Sequence, residues 1–351
     1  MRVTCWRASA LVLSFSLAAA ACGEAVDPER PSAETEVAPP PPPRAEYAIA
    51  IHGGAGVITR DRMSAEYEAG VRAVLAKALD TGEAVLAAGG SAEDAVVETI
   101  KLLEDDPHFN AGRGAVFTYE GRNELDASFM RGRDLNAGAV SGVLGVRSPI
   151  TLARAVMEHS DHVMLSGEGA AAFAKTRGLR FEPASYFRTD ARYESWRRAR
   201  EKADAKPELS ENGKFGTVGC VALDREGHLA AGTSTGGMTL KRYGRIGDSP
   251  IIGAGNYAND ATCAVSATGH GEYFIRYAVA HDISARMQYG GATLAEAAEA
   301  VINGELKDVG GEGGVIAVDH LGNVALPFNS EGMYRGYARP GERVVAIFGD
   351  E

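Results

Sequence analysis

The sharpest chemical possibility in the chain lies at Gly216 and Thr217, which open the stretch Gly216-Thr-Val-Gly-Cys-Val-Ala-Leu-Asp224. Val218, Val221 and Leu223 mark a buried strand. Asp224-Arg-Glu-Gly227 reads as a turn, and His228–Thr233 as the returning strand of a hairpin. A glycine ahead of the threonine lets the backbone take a strained conformation. The neighbouring hydroxyl can attack the Gly216 carbonyl, and cleavage would leave Thr217 with a free α-amine. That amine can serve as base for its own hydroxyl, one of the established ways to activate a nucleophile. Its reference pKa of about 7.7–8.0 leaves a good part neutral near neutral pH. Taken alone, a Gly-Thr pair is more often a plain strand threonine after a turn glycine.

Three further groups could complete such a site. Thr235 ends the returning strand, with a hydroxyl that either aids a nucleophile or bonds backbone. Thr268 and Gly269 precede a helix that begins near Gly271, where donors favour negative charge such as an oxyanion, or simply cap the helix. Arg245 and Asp248 stand three apart on one loop. A planar guanidinium binds a carboxylate through two N–H bonds and an aspartate pairs with an ammonium, so together they could hold both ends of a free amino acid. A surface salt bridge is the plainer reading.

The order of motifs decides among these readings. Ile51-His-Gly-Gly-Ala-Gly, Phe109-Asn-Ala-Gly-Arg-Gly-Ala-Val-Phe-Thr and Gly216-Thr-Val-Gly stand first. Thr233-Ser-Thr-Gly-Gly-Met, Gly244-Arg-Ile-Gly-Asp-Ser-Pro, Gly253-Ala-Gly-Asn-Tyr-Ala-Asn, Ala267-Thr-Gly-His-Gly-Glu and Leu326-Pro-Phe-Asn-Ser-Glu-Gly-Met-Tyr follow. Together, over about residues 47–348, the chain resembles the plant-type asparaginase/isoaspartyl peptidase family of N-terminal-nucleophile hydrolases. Any one motif is weak; the ordered set is specific.

The resemblance implies Thr217 as nucleophile after self-cleavage at Gly216, Thr235 as a helper of that hydroxyl, and Thr268 and Gly269 as oxyanion and substrate contacts. It implies Arg245 on the substrate α-carboxylate and Asp248 on its α-amine. The substrates implied are L-asparagine and β-aspartyl dipeptides, with no cofactor for the chemistry and a dimer of cleaved heterodimers. It also implies a sodium ion held by backbone carbonyls of Leu103, Glu104, Asp106, Phe109, Ala111 and Arg113; charged Asp106 and Arg113 depart from the less polar residues expected there. The enzyme rival is a glycosylasparaginase, which tends to carry Asp where this chain has Gly216. The rival of another class is a non-catalytic surface lipoprotein that keeps the scaffold for binding.

Two short matches mislead. Gly232-Thr-Ser-Thr-Gly236 fits a nucleophile elbow, but loop follows it where the elbow needs a helix. Gly253–Ala258 fits a dinucleotide fingerprint, but no helix follows to receive a pyrophosphate. His159 and His162 have a spacing that could bind metal, and no further ligands stand near them in sequence.

The chain has 351 residues, 45% of them hydrophobic and 24% charged, an ordinary globular balance. A net charge of −11 argues against nucleic acid and against an anionic membrane surface as partners. Residues 1–21 read as an export signal: Arg2 and Arg7, then an apolar run from Ala8 to Ala21, short for a spanning helix. Ala19-Ala-Ala-Cys22-Gly resembles a bacterial lipoprotein cleavage site with Cys22 lipidated, although Ala19 stands where Leu is usual; ordinary signal cleavage is the alternative. Residues 22–46, with Pro39–Pro43, read as a tether able to reach about 70 Å at roughly 3.1 Å per residue. The expected location is the bacterial periplasm or cell envelope. Cys220 and Cys263 read as buried free thiols, since two cysteines make no disulfide framework.

The elements that must position the site are a first strand at Tyr47–Ile51, helical spacing over Ala65–Ala88 broken near Thr81-Gly82, a helix from Ser91 to Leu103, and strands at Ala115–Tyr119, Ala127–Met130 and Ala139–Val146. A helix over Pro149–Glu158 and a solvated helix with a flexible tail over 188–214 follow. Beyond the Thr217 hairpin come a glycine-rich loop over 236–250, a strand at Thr262–Thr268, helices at Gly271–Gln288 and Leu294–Ile302, a hairpin of Gly313–Asp319 with Val324–Phe328, and a last strand at Val344–Phe348. Periodicity supports mixed α and β, an α+β fold over a single domain, 47–351. The resemblance implies a four-layer αββα sandwich.

The self-cleavage reading makes a direct prediction. Denaturing electrophoresis of active protein should show two bands, and Edman sequencing of the smaller should begin Thr-Val-Gly-Cys. Thr217→Ala should remain one uncut, inactive chain. A single full-length band in active protein contradicts the reading.

Overall fold

A computed structural model describes residues 44–205 and 216–351. The expected export signal, Cys22 and most of the tether lie outside the described residues, as does the tail over 206–215. Among the described residues no helix is long and apolar enough to cross a membrane.

Among the described residues twelve strands form two sheets. β1 (Ala48–Gly56), β2 (Leu125–Arg131), β3 (Ala137–Val143), β4 (Met164–Ser166), β5 (Val218–Leu223), β6 (Leu229–Thr235), β11 (Gly332–Arg339) and β12 (Glu342–Phe348) make an eight-stranded sheet in the order β12-β11-β1-β5-β6-β2-β3-β4. β7 (Asn256–Ala258), β8 (Cys263–Gly269), β9 (Gly313–Asp319) and β10 (Val324–Ala325) make a second, in the order β10-β9-β8-β7. All pairs are antiparallel except β3 with β4.

Helices cover the outer face of each sheet. α1 (Ala65–Ala87), α2 (Ala92–Asp105), α3 (Pro149–His159) and α4 (Gly167–Thr176) lie on the large sheet. The short α5 (Ala184–Phe187) and α6 (Asp190–Ala205) follow in the chain; α7 (Gly271–Arg276) precedes α8 (Val279–Gly290) and α9 (Leu294–Glu299), which lie on the small sheet. The result is the αββα order expected.

Alternation along the strands builds three apolar layers, because successive side chains point to opposite faces. On β5, Val218, Cys220 and Ala222 join the core beneath α1–α3, whereas Val221 and Leu223 join the core between the sheets. On β1, Ile49 and Ile51 take the helix side, and Ala48 and Ala50 the inter-sheet side. On β8, Val265 and Ala267 face α8 and α9, and Ala264 faces the large sheet. Each fully buried Leu or Ile contributes about 1.5–3 kcal/mol. Cys220 and Cys263 are buried and unpaired, as expected; burial pushes both thiols up, Cys263 to about 12.

Several expectations need correction. Residues 115–119 form no strand; Leu240 N–H donates to the Phe117 carbonyl and Tyr119 N–H to that of Lys241, so the segment braces the glycine-rich loop instead. The helix expected over Gly271–Gln288 breaks at Ala278, which sits at φ +47°. The break lets Ala280 and His281 donate their N–H groups to the carbonyls of Ala254 and Gly253. After α9 the chain continues as a π-helical turn over Ala300–Leu306. α6 is only partly solvated: Trp196 Nε1 donates to the Thr118 carbonyl at 2.8 Å, and Arg192 Nε to that of Gly114 at 2.9 Å. His159 and His162 are exposed, and no cluster of three or more metal-ligating side chains occurs among the described residues.

The buried Asp224 ties helix to hairpin: Oδ2 accepts from Ala92 N–H at 3.0 Å and Oδ1 from His228 N–H at 2.9 Å. Asp224→Ala leaves a buried donor unmet and should cost about 1–3 kcal/mol in chemical denaturation. Asp224→Asn, which keeps one acceptor, should cost less.

Candidate functional site

The alternation that builds the inter-sheet core also builds the site. The register that pairs Val218 with Ser234 carries Thr217 up to Thr235. The Thr217 hydroxyl donates to Thr235 Oγ1 at 3.1 Å, and that oxygen also accepts Gly237 N–H at 3.0 Å. Both threonines are buried. Ser234, on the opposite face, instead donates to Glu104 Oε1 of α2 at 2.7 Å.

A small cleft opens over this pair, lined by Thr217, Thr235, Gly237, Met238, Arg245, Gly247, Asp248, Ser249 and Gly269. Five of the residues singled out from sequence therefore meet around one space. Thr268 is fully buried at the end of β8, and its hydroxyl has no hydrogen-bond partner among the described residues. α7 has only six residues, so an oxyanion here would rely on local donors at Thr268 and Gly269 more than on a helix dipole.

The two charged residues sit differently. Arg245 is held side-on by Glu272: Nε donates to Oε1 at 2.9 Å and Nη2 to Oε2 at 3.0 Å. That pairing holds Glu272 below the usual carboxylate range, against the effect of its partial burial. Asp248 is buried, and its Oδ2 lacks a partner among the described residues. Burial pushes its carboxyl up to about 7, against the opposing pull of Arg245. An acceptor buried without a donor is a place prepared for one.

The loop that carries these charges is firmly held. Asn110 Nδ2 donates to the Gly237 carbonyl at 2.7 Å. Lys241, almost wholly buried, reaches Asp126 Oδ2 at 3.4 Å. Leu240 and Tyr243 take φ of +61° and +59°, a conformation that costs L-residues about 1–2 kcal/mol each.

Three residues around Thr217 were not singled out from sequence, although each lies inside a quoted motif: Asn110, Glu272 and His52. Asn110 N–H donates to the Gly216 carbonyl at 2.9 Å, at the bond expected to break. Gly54, at φ +114°, crosses beside it; a Cβ there would lie 2.5 Å from Gly216 Cα. His52 Nδ1 lies 3.0 Å from the Thr217 carbonyl oxygen.

The loop expected to hold sodium closes tightly. Gly112, at φ +47°, passes so near that a Cβ would lie 2.3 Å from the Glu104 carbonyl oxygen. The Leu103, Asp106 and Ala111 carbonyls accept N–H bonds from within the loop, leaving second lone pairs for a cation. Asp106 turns its carboxylate onto His108, at 2.9 Å from the N–H and 2.6 Å from Nδ1, so its side chain does not compete with the carbonyls. These residues fit a carbonyl-held cation.

The pH dependence of ligand binding follows from Asp248. Its raised pKa disfavours the folded state: the effect is absent below about pH 4 and full above about pH 7. A ligand ammonium beside it reverses that penalty. L-aspartate affinity, measured by calorimetry, should therefore weaken as pH falls from 8 to 5, with a midpoint near 7. Asp248→Asn should bind weakly throughout and lose this dependence.

Comparison with known proteins agrees with the motif order. A family model described as asparaginase matches residues 45–347. The chain is 53% identical over 299 residues to an isoaspartyl peptidase of Escherichia coli strain K12, covering 84% of this chain and 93% of that relative. It is 42% identical over 300 residues to an isoaspartyl peptidase/L-asparaginase of Danio rerio, covering 86% and 94%. It is 43% identical over 313 residues to a plant-type L-asparaginase of Pyrococcus abyssi, covering 84% and 97%. With a match of that extent, relatives this close and the αββα frame in place, the chain belongs to the asparaginase family that this model describes.

Proposed function

We propose that the chain is a threonine amidohydrolase that cuts itself between Gly216 and Thr217 and then hydrolyses L-asparagine and β-aspartyl dipeptides to L-aspartate. The observation that carries this reading is the cleft itself, where a hydroxyl pair stands beside one guanidinium and one buried carboxyl whose Oδ2 has no partner among the described residues. The names of the relatives support the substrates.

In maturation, Thr217 Oγ attacks the Gly216 carbonyl carbon and its proton passes toward Thr235. Asn110 N–H stabilises the oxyanion. The Gly216–Thr217 C–N bond breaks and the new amine takes the proton, leaving Gly216 esterified to Thr217 Oγ. Water opens that ester and frees the Gly216 carboxylate.

In turnover, the Thr217 α-amine takes the proton of its own hydroxyl, which attacks the substrate side-chain carbonyl. The Thr268 and Gly269 donors hold the oxyanion; loss of one such donor typically costs about 100–1000-fold in rate. The leaving amine departs with a proton from Thr217, as ammonia or as an amino acid. Water then releases L-aspartate from the acyl-enzyme.

Glu272 holds the Nε/Nη2 edge of Arg245 and leaves its other edge for the α-carboxylate. Asp248 takes the α-ammonium. A substrate whose amine is acylated leaves the buried Asp248 without its ammonium, a loss of about 1–3 kcal/mol or 10- to 100-fold; one whose α-carboxyl is already in a peptide bond offers the half-buried Arg245 a neutral oxygen in place of a carboxylate.

The same reading extends to the rest of the molecule: a sodium ion on the carbonyls of Leu103, Glu104, Asp106, Phe109, Ala111 and Arg113, a dimer of cleaved heterodimers, and export with Cys22 as the lipid anchor. Cys22→Ala should move the protein from the membrane fraction to the soluble one, or stall its processing.

Arg245→Ala should cut normally at Gly216, because maturation does not use the anchors, yet lose about 10- to 100-fold or more in kcat/KM on both substrates. Free and N-acetylated β-aspartyl dipeptides hydrolysed at equal rates would contradict the two-ended grip.

A further inference from the structure

His52 lies on β1, fully buried on the inter-sheet side, and is not among the residues that line the cleft. Its Nδ1 is 3.0 Å from the Thr217 carbonyl oxygen, and its Nε2 is 3.0 Å from Ser266 Oγ of β8. Ser266 Oγ lies 2.6 Å from Thr233 Oγ1 of β6, which is also 2.9 Å from the Gly255 carbonyl. Gly219 makes the meeting possible: a Cβ there would lie 2.2 Å from His52 Nε2 and 2.0 Å from Ser266 Oγ.

The proton positions in this chain of contacts can be worked out. A carbonyl oxygen only accepts, so His52 Nδ1 carries a hydrogen. Burial lowers the imidazole pKa to about 3, so the ring is neutral at working pH and Nε2 must accept. Ser266 therefore donates to Nε2, which uses its single proton, and Thr233 donates to Ser266. The Gly255 carbonyl is still satisfied, because it accepts Ala267 N–H at 3.0 Å. With the ring neutral, this tautomer and direction of donation satisfy His52 and Ser266, and Thr233 gives its one proton to the shorter contact, at Ser266, in place of the Gly255 carbonyl.

We propose that His52 is a positioning residue that clamps the carbonyl of the nucleophile's own residue. The inference rests on the reading of Thr217 as nucleophile. Self-cleavage turns residue 217 into a chain end, and chain ends order poorly unless tied down. After the cut, Thr217 keeps its hydroxyl contact to Thr235, its link into β5 and the His52 N–H bond on its carbonyl. That last bond fixes the peptide plane from which both the amine and the hydroxyl project. The ring is neutral and both its nitrogens are engaged, so it neither takes the hydroxyl proton nor charges the site. A misplacement of about 1 Å can cost on the order of 100-fold in rate.

The test compares three variants with wild type on a free β-aspartyl dipeptide. His52→Phe keeps a ring and loses the N–H; His52→Asn places an amide N–H near the Nδ1 position. For His52→Phe we expect slower self-cleavage and kcat reduced about 10- to 100-fold, with KM within about twofold because Arg245 and Asp248 are undisturbed. His52→Asn should recover most of the kcat even if its melting temperature falls as far. Equal loss of kcat in both, or a loss expressed in KM, overturns the inference. Thr217→Ala is the control: if it hydrolyses the dipeptide, the nucleophile reading fails instead. Should His52→Phe not fold, nitrogen-15 histidine spectra of the wild type decide. A neutral Nδ1–H ring unchanged between pH 5 and 8 supports the clamp, and an Nε2–H tautomer or titration in that range overturns it.

Discussion

The register of β5 between β1 and β6 governs everything at the site. Odd-numbered residues of β5 face the second sheet and even-numbered ones face the helices, as Val221 and Val218 show. Thr217 inherits the inter-sheet side and meets Thr235 across the hairpin. A slip of one residue would turn the whole set to the other face, putting Thr217 toward the helices and Val218 into the cleft. The apolar residues on both faces make such a slip costly, so the packing of the core fixes the chemistry at its edge.

Charge is partitioned around that edge. The inter-sheet groups beneath Thr217 are neutral: three hydroxyls at Thr233, Thr235 and Ser266, and an imidazole held unprotonated by burial. Ionisable groups stand across the cleft at Arg245, Asp248 and Glu272, and behind Thr235 in the buried Lys241–Asp126 pair, whose Asp126 lies opposite Thr235 in the sheet register. The Arg245–Glu272 pair is partly exposed, so its worth to stability is about 0–1 kcal/mol. Its consequence is orientation, since it commits one edge of the guanidinium and leaves the other.

Much of this was legible in sequence, and what was not has a physical reason. Alternation marked β5 and β6, a capping pattern at Ser91 marked α2, Pro149 marked the start of α3, and the ordered motifs brought Thr217, Thr235, Arg245, Asp248 and Gly269 to one cleft; helical spacing marked α1, but the break expected near Thr81-Gly82 is absent, because Gly82 is buried inside a continuous helix. β11 escaped notice because Gly332, Gly336 and Arg335 break the apolar pattern of a strand. Arg335 is nonetheless buried, because its guanidinium donates to the carbonyls of Met333, Phe348 and Glu351. The break at Ala278 was invisible because the donors it serves lie with Gly253 and Ala254, far earlier in the chain. His52, Asn110 and Glu272 stood inside recognised motifs, but their partners at Thr217, Gly216 and Arg245 are distant in sequence. Only the folded contacts assign them.

The central claim is that one cleft holds an amino acid by both ends and presents its side-chain carbonyl to Thr217. A crystal structure of the matured protein with L-aspartate tests it most directly. The account predicts the α-carboxylate on Arg245, the α-ammonium on Asp248, and the β-carboxylate within hydrogen-bonding distance of Thr217 Oγ1 and the Gly269 N–H. Aspartate bound with its ends reversed, or with its β-carboxylate turned away from Thr217, would contradict it.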